Sequence, residues 1–289
     1  MNESLLIYVF FTLSIVLSVG RNMFSKNISG FKFGTYDFFK TQAMLFFSGA
    51  LILLIPFIVS AEEMSLQTFC YSVIYALLLI CAQWGYTAAL GNGNTSVCVT
   101  LYSLGFVFPT VSGALFWGEK FSIENLFGLI AVISAVIISG KKKKSENKNT
   151  NKYLIPLIVA MLSSGGLGIM QKIQQKSIYS GQREIFILTA FVIAGIMSAI
   201  SAFICRSNKR KVTEKFNISP LIAGLCFGCC NLLNTFLAGK LDSAFFFPVQ
   251  NISVIIMSVV SGLIFFRERL CKKDYLVFLL GCVAIFLMN

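Results

Sequence analysis

Ten side chains with polar groups stand out as candidates within the apolar runs of this chain: Asn22, Gln83, Trp84, Tyr86, Tyr102, Gln171, Asn231, Asn234, Gln250 and Asn251. Amides donate and accept hydrogen bonds, and aromatic rings offer flat apolar faces with a polar handle. Together they suit the recognition of a small neutral or zwitterionic solute. Asn231 and Asn234 stand three apart, so on a helix they share a face. Gln250 and Asn251 follow Pro248, whose ring frees the carbonyl of Ala244 one turn earlier. Singly, each polar residue also fits a bond between neighbouring helices, worth about 0.6 kcal/mol.

Other chemistries lack their residues. There is no His, and the acids Asp37, Glu119, Glu124, Glu268 and Asp274 all fall near the ends of apolar runs. Paired carboxylates, a His cluster or a nucleophile with a base are therefore missing, and an enzyme is not expected. Cys226, Cys229 and Cys230 share a helical face, but without His or a second Cys cluster they read as small packing residues. No cofactor or metal is expected. Arg21 and Lys172 could each meet a carboxylate, although snorkelling to the membrane surface is the commoner fate of such residues.

The elements that must hold these groups are membrane helices. Of 289 residues, 56% are hydrophobic and 12% charged, with a mean hydropathy of +0.80, whereas soluble domains carry about 25% charged residues. Long continuous apolar runs exclude an outer-membrane barrel. The runs predict about ten spans of roughly 20 residues each. Five fall at 4–24, 35–59, 66–90, 95–117 and 122–140, and five at 152–175, 183–205, 217–239, 243–266 and 272–288. The net charge of +12 lies between the runs and marks topology rather than nucleic-acid binding. The opening Met1-Asn2-Glu3-Ser4 carries no basic region, so a retained first span is expected rather than a cleaved leader.

The basic stretch 141–151 divides the chain into 1–140 and 152–289, and the halves are alike. Val111-Ser112-Gly113 and Phe116 with Glu119 recur as Val260-Ser261-Gly262 and Phe265 with Glu268, each 149 positions on. Two copies of an odd number of spans enter the membrane in opposite senses. The prediction is two inverted five-helix repeats, with a solute site near the midplane between them, as in secondary transporters. Of 24 basic residues, 19 lie in or beside the loops after spans 1, 3, 5, 7 and 9. Those loops are expected in the cytoplasm and both termini outside.

The third helix ends Tyr86-Thr87-Ala88-Ala89-Leu90, and a Gly118-Glu119-Lys120-Phe121-Ser122 turn closes the fourth. Ala89 precedes Glu119 by 30 residues and Ala238 precedes Glu268 by the same interval. This pattern resembles the EamA-type family of the drug/metabolite transporter superfamily. The chain departs from it at Phe106 and Ile255, where relatives often carry Pro, at Arg267 in place of the second Gly, and in the acidic Glu62-Glu63 loop. The resemblance implies a 5+5 transporter whose cavity is formed mainly by the third, fourth, eighth and ninth helices, gated by the first and sixth. It thus implies substrate contacts from Gln83, Tyr86, Tyr102, Asn231, Asn234, Gln250 and Asn251, with Asn22, Trp84 and Gln171 as gate or secondary residues. Small multidrug relatives use a mid-membrane Glu in the first helix; this chain has none there, which disfavours a cation/proton antiporter. The expectation is a plasma-membrane secondary transporter or facilitator of small polar metabolites such as amino acids. Alternating access and export are expected, from a monomer or homodimer. A lipid flippase or a non-transporting scaffold is the alternative.

Overall fold

The computed structural model describes residues 3–29, 35–60, 62–92, 102–140, 151–205 and 218–266, with short helical pieces between 275 and 287. Among the described residues all regular structure is helical. We number the helices α1 (Glu3–Ser29), α2 (Thr35–Ser60), α3 (Leu66–Asn92), α4 (Val107–Trp117, entered through the 3₁₀ turn Leu104–Phe106), α5 (Ile123–Gly140), α6 (Asn151–Lys176), α7 (Arg183–Ile204), α8 (Ser219–Lys240) and α9 (Ser243–Phe266). Eight helices coincide with expected spans to within about five residues, and α4 with the last part of the fourth. The start of the fourth, at 95–101, the basic stretch 141–150, the loop 206–217 and most of the tenth span lie outside the described residues. By length and composition six helices are fit to cross a membrane: α1, α2, α3, α6, α7 and α8. Shorter apolar helices fall at Leu104–Trp117, Ile123–Ser134 and Ser243–Met257.

The chain forms two compact units, each assembled from pieces of both halves of the sequence. The first comprises Met1–Ile80 and Gln174–Phe236: α1, α2, the start of α3, α7 and most of α8. Its core is aromatic. Phe191 on α7 stacks between Phe46 on α2 (ring centroids 5.9 Å) and Phe227 on α8 (5.3 Å). Beside them α2 and α8 touch backbone to backbone. A Cβ on Gly228 would lie 2.6 Å from the Gly49 carbonyl, and one on Gly224 would collide with the Leu45 carbonyl and Ser48 Oγ. Small residues permit such close approach where lipid gives no hydrophobic drive between helices. Further along α2, Leu51, Ile55, Ile58 and Val59 are exposed, as residues of a lipid-facing surface must be.

The α2–α3 turn is held by one glutamine. Gln182 Oε1 accepts from the Ser65 N–H (3.1 Å) and the Thr68 hydroxyl (2.6 Å), and its Nε2 donates to the Glu63 carbonyl (2.6 Å). Ser65 Oγ in turn accepts the Thr68 N–H (3.1 Å), which caps α3.

The second unit comprises Cys81–Ile173 and Leu237–Asn289. Here α6 is the axis, because its small residues admit three neighbours. Gly85 on α3 meets the Pro156 carbonyl and Ala160 of α6. A Cβ on Gly165 would lie 2.6 Å from the Phe108 ring of α4, and one on Gly168 would lie 2.8 Å from Pro109 and 3.0 Å from Phe247 of α9. Ser163-Ser164-Gly165-Gly166 invites a gate reading as well as a packing one, and at Gly165 the contacts are those of packing. Helix α4 ends at Gly118, whose φ of 61° reverses the chain. The Gly118 and Glu119 N–H groups both turn back onto the Gly113 carbonyl.

Candidate functional site

In the first unit, Asn231 is buried and its amide is engaged at both ends. Its Oδ1 accepts from the Tyr75 hydroxyl (2.6 Å) and its Nδ2 donates to the Phe227 carbonyl (2.8 Å). Asn234, three residues on, is half-buried, and its Nδ2 leans back along its own helix onto Cys230 Sγ at 3.4 Å. The thiol is also 2.9 Å from Ser18 Oγ on α1. The two asparagines therefore share a helix yet differ in task, Asn231 tying α8 to α3 and Asn234 bordering α1. Asn22 is exposed. One turn past Ser18, the Arg21 guanidinium lies over the Phe227 ring, 3.8 Å from its centroid, with a buried Nε that has no hydrogen-bond partner.

In the second unit, the rings of Tyr86 and Tyr102 meet at 4.7 Å with a 42° tilt. Gln83, one helical turn before Tyr86, is buried, and its Nε2 lacks a hydrogen-bond partner. Gln250 is buried on α9, while the half-buried Asn251 turns its Nδ2 back to the Phe247 carbonyl (2.9 Å). Gln171 is buried in α6, and Trp84 faces outward at 41% exposure.

The largest departure from expectation is Lys172. Snorkelling is the common fate of such a lysine, yet this one is 1% exposed and ion-paired with Glu119. Its Nζ also donates to the Leu241 carbonyl (3.0 Å), and Glu119 Oε2 accepts the Ser243 N–H (2.7 Å). The cause is local. The left-handed Gly118 swings Glu119 inward, and a Gly at 113 leaves room, since a Cβ there would collide with Glu119 Oε2. Ser243 opens α9, so the carboxylate also satisfies an orphan N–H at the positive end of a helix. Burial pushes the Glu119 carboxyl up, but Lys172 and the Ser243 amide outweigh it and hold the group below its ordinary value.

In the sequence Glu119 is one of several acids near span ends, with nothing there to give it a task. The available signal was its recurrence as Glu268 beside a basic residue. Tyr75, fully buried and bonded to Asn231, was invisible because an aromatic in an apolar run reads as packing.

The model of a family described as "Sugar transport protein" matches residues 16–289. This is a family of the drug/metabolite-transporter kind; the finer EamA-type likeness rests on the helix-end motifs alone. An uncharacterised protein of Haemophilus influenzae is 24% identical over 190 residues, which is 63% of this chain and 62% of the relative. The chain thus matches less than two thirds of that relative's length. A protein of known crystal structure superposes with a TM-score of 0.74 over 97% of this chain and 95% of its own, at 11% identity. That likeness shows a shared fold.

Proposed function

This chain belongs to the sugar transport protein family, and from that premise we propose that it is a secondary transporter or facilitator moving small polar metabolites across the cell membrane by alternating access. The observation that carries the reading is a family match spanning nearly the whole chain, on helices fit to cross a membrane. Sugars are the first solute class, on the family's description; amino acids and similar solutes come second, on the amide-rich residue set. Amides suit hydroxyls, and aromatic faces such as those of Tyr86 and Tyr102 suit the C–H faces of a pyranose.

The proposed substrate contacts are Gln83, Tyr86, Tyr102, Asn231, Asn234, Gln250 and Asn251, with Asn22, Trp84 and Gln171 as gate or secondary residues. Of these, Gln83 Nε2 is the best supported, because a buried donor without a partner costs free energy unless a ligand meets it. We further propose ten spans in two inverted repeats, kinship with EamA-type transporters, export as the direction, and both termini outside. A reporter enzyme fused to the C-terminus tests the last point: external activity supports it, and cytoplasmic activity overturns it.

The decisive experiment is counterflow in proteoliposomes against sugars, amino acids, nucleosides and quaternary amines, with Asn234→Leu as control. A saturable signal for one class, lost in the variant, supports the proposal. No exchange of any solute removes it.

One observation favours a second reading. A groove of about 790 Å³ opens between α2, α7 and α8 in the first unit. Its walls are largely apolar, through Ala43, Phe47, Leu51 and Phe203, with Lys40 and Tyr36 among them. A lipid flippase would use such a lateral groove. Bleaching of fluorescent lipids by external dithionite in the same vesicles discriminates the two, since only a flippase exposes the inner-leaflet pool.

A further inference from the structure

We infer that Arg21 is an anion-recognition residue and that the transported solute carries a single carboxylate. The inference rests on the transporter reading above and narrows its solute class.

An arginine in a membrane helix is costly, so those present face a cavity, a partner or a path for polar solutes. The usual escape is to extend the head to the interface. Arg21 does not take it. Its side chain folds onto α8, where the guanidinium stacks on Phe227. Phe227 is the ninth residue of α8, so the charge lies about 12 Å along that helix, against its middle third.

A guanidinium carries five donors and never loses its proton in a protein. Here the buried Nε finds no acceptor, and among the described residues Arg21 makes no hydrogen bond or ion pair. Stacking on a ring satisfies the flat face of the group and leaves its in-plane donors available. Those donors form a fork that fits a carboxylate with two parallel hydrogen bonds. The contrast with Lys172 is direct. That lysine is neutralised by Glu119 and spent on structure, whereas no described carboxylate serves Arg21.

The surroundings agree in chemistry. Ser18 lies one turn before Arg21 and touches Cys230, which Asn234 also reaches, so a hydroxyl, a thiol and an amide accompany the cation. One positive charge with neutral polar neighbours suits a monoanion that also bears hydroxyl or amino groups. Sugar acids and amino acids share that chemistry.

Counterflow in proteoliposomes separates the two sources. D-gluconate is compared with D-glucitol, and L-alanine with L-alaninamide, for the wild type, Arg21→Gln and Arg21→Lys. Preference for a carboxylate over its uncharged-end analogue supports the inference, and the preferred pair names the source. Arg21→Gln then weakens apparent affinity for the acid by about 10-fold or more, the usual worth of a charge-assisted bond. Arg21→Lys recovers part of it, because the charge returns without the fork.

Wild-type exchange of D-glucitol or D-glucose with no preference for an acid overturns the inference and leaves the transporter reading intact. The same holds if Arg21→Gln exchanges the acid as the wild type does. Exchange of no solute overturns both. The wild-type comparison decides the matter even if Arg21→Gln fails to fold.

Discussion

Removing either half of the Lys172–Glu119 pair should cost far more than removing both. Lys172 is 1% exposed and the Glu119 side chain 8%, so neither charge has water to fall back on. Truncating one partner of a buried pair costs about 3–5 kcal/mol, because the other charge is stranded. Lys172→Met should incur that cost, plus about 1–3 kcal/mol for the Leu241 carbonyl that loses its donor. Glu119→Leu should incur it too, plus about 1–3 kcal/mol for the Ser243 N–H that loses its acceptor. In the double variant no charge is stranded, and what remains is the Ser243 N–H without its acceptor and the Leu241 carbonyl without its lysine donor, at about 1–3 kcal/mol each. The double variant is thus more stable than either single one, with a coupling of several kcal/mol. Thermal unfolding of purified protein in detergent, followed by loss of the monodisperse peak, reads this out. At about 2–4 °C per kcal/mol the single variants should melt on the order of 10 °C below wild type. Additivity of the two singles within about 0.5 kcal/mol would refute the argument, since independent sites behave that way.

Acid should release the same clamp. A carboxyl held below its ordinary value stabilises the fold above the unfolded-state pKa and loses that contribution as pH falls through the folded-state value. The melting temperature of wild type should therefore drop below the ordinary glutamate range, and Glu119→Gln should flatten that limb; an unchanged limb would assign it to other carboxyls. Asn231→Leu should lower stability by about 1–3 kcal/mol, because the Tyr75 hydroxyl loses its acceptor. Asn234→Leu should instead abolish transport at unchanged melting temperature; the opposite pattern would exchange their roles. Gly224→Ala should destabilise by about 1–3 kcal/mol through overpacking against the Leu45 carbonyl, and a neutral result would show that the α2–α8 contact yields easily.

Helix positions were legible in the sequence because lipid imposes a length and a hydropathy on every span, and few sequences satisfy both by accident. Most boundaries were legible too, but α1 runs to Ser29, five residues past its expected end, because a helix can continue beyond the apolar run that marks it. Pairings were not. Lys172 and Glu119 sit on different elements, and nothing in either segment announces the other; the positive φ at Gly118 brings them together. The i, i+3 spacing of Asn231 and Asn234 was visible, but not that Tyr75 would occupy one amide and leave the other at a border. Charge counting could give Arg21 a choice between the interface and a ligand, and only the ring of Phe227 beneath it shows which way the side chain turns.

The contact of Gly49 with Gly224 and Gly228 has a genetic consequence. Glycine has the smallest side chain, and every missense change reachable from a glycine codon by one nucleotide adds at least a methyl group. At most positions such a lesion can be absorbed by a neighbouring side chain changing rotamer. Here the obstacles include backbone carbonyls, of α2 for Gly224 and Gly228 and of α8 for Gly49, and these have no rotamers. A random-mutagenesis screen for loss of transport should therefore recover substitutions at these three codons out of proportion to their number, and intragenic suppressors of them should be scarce.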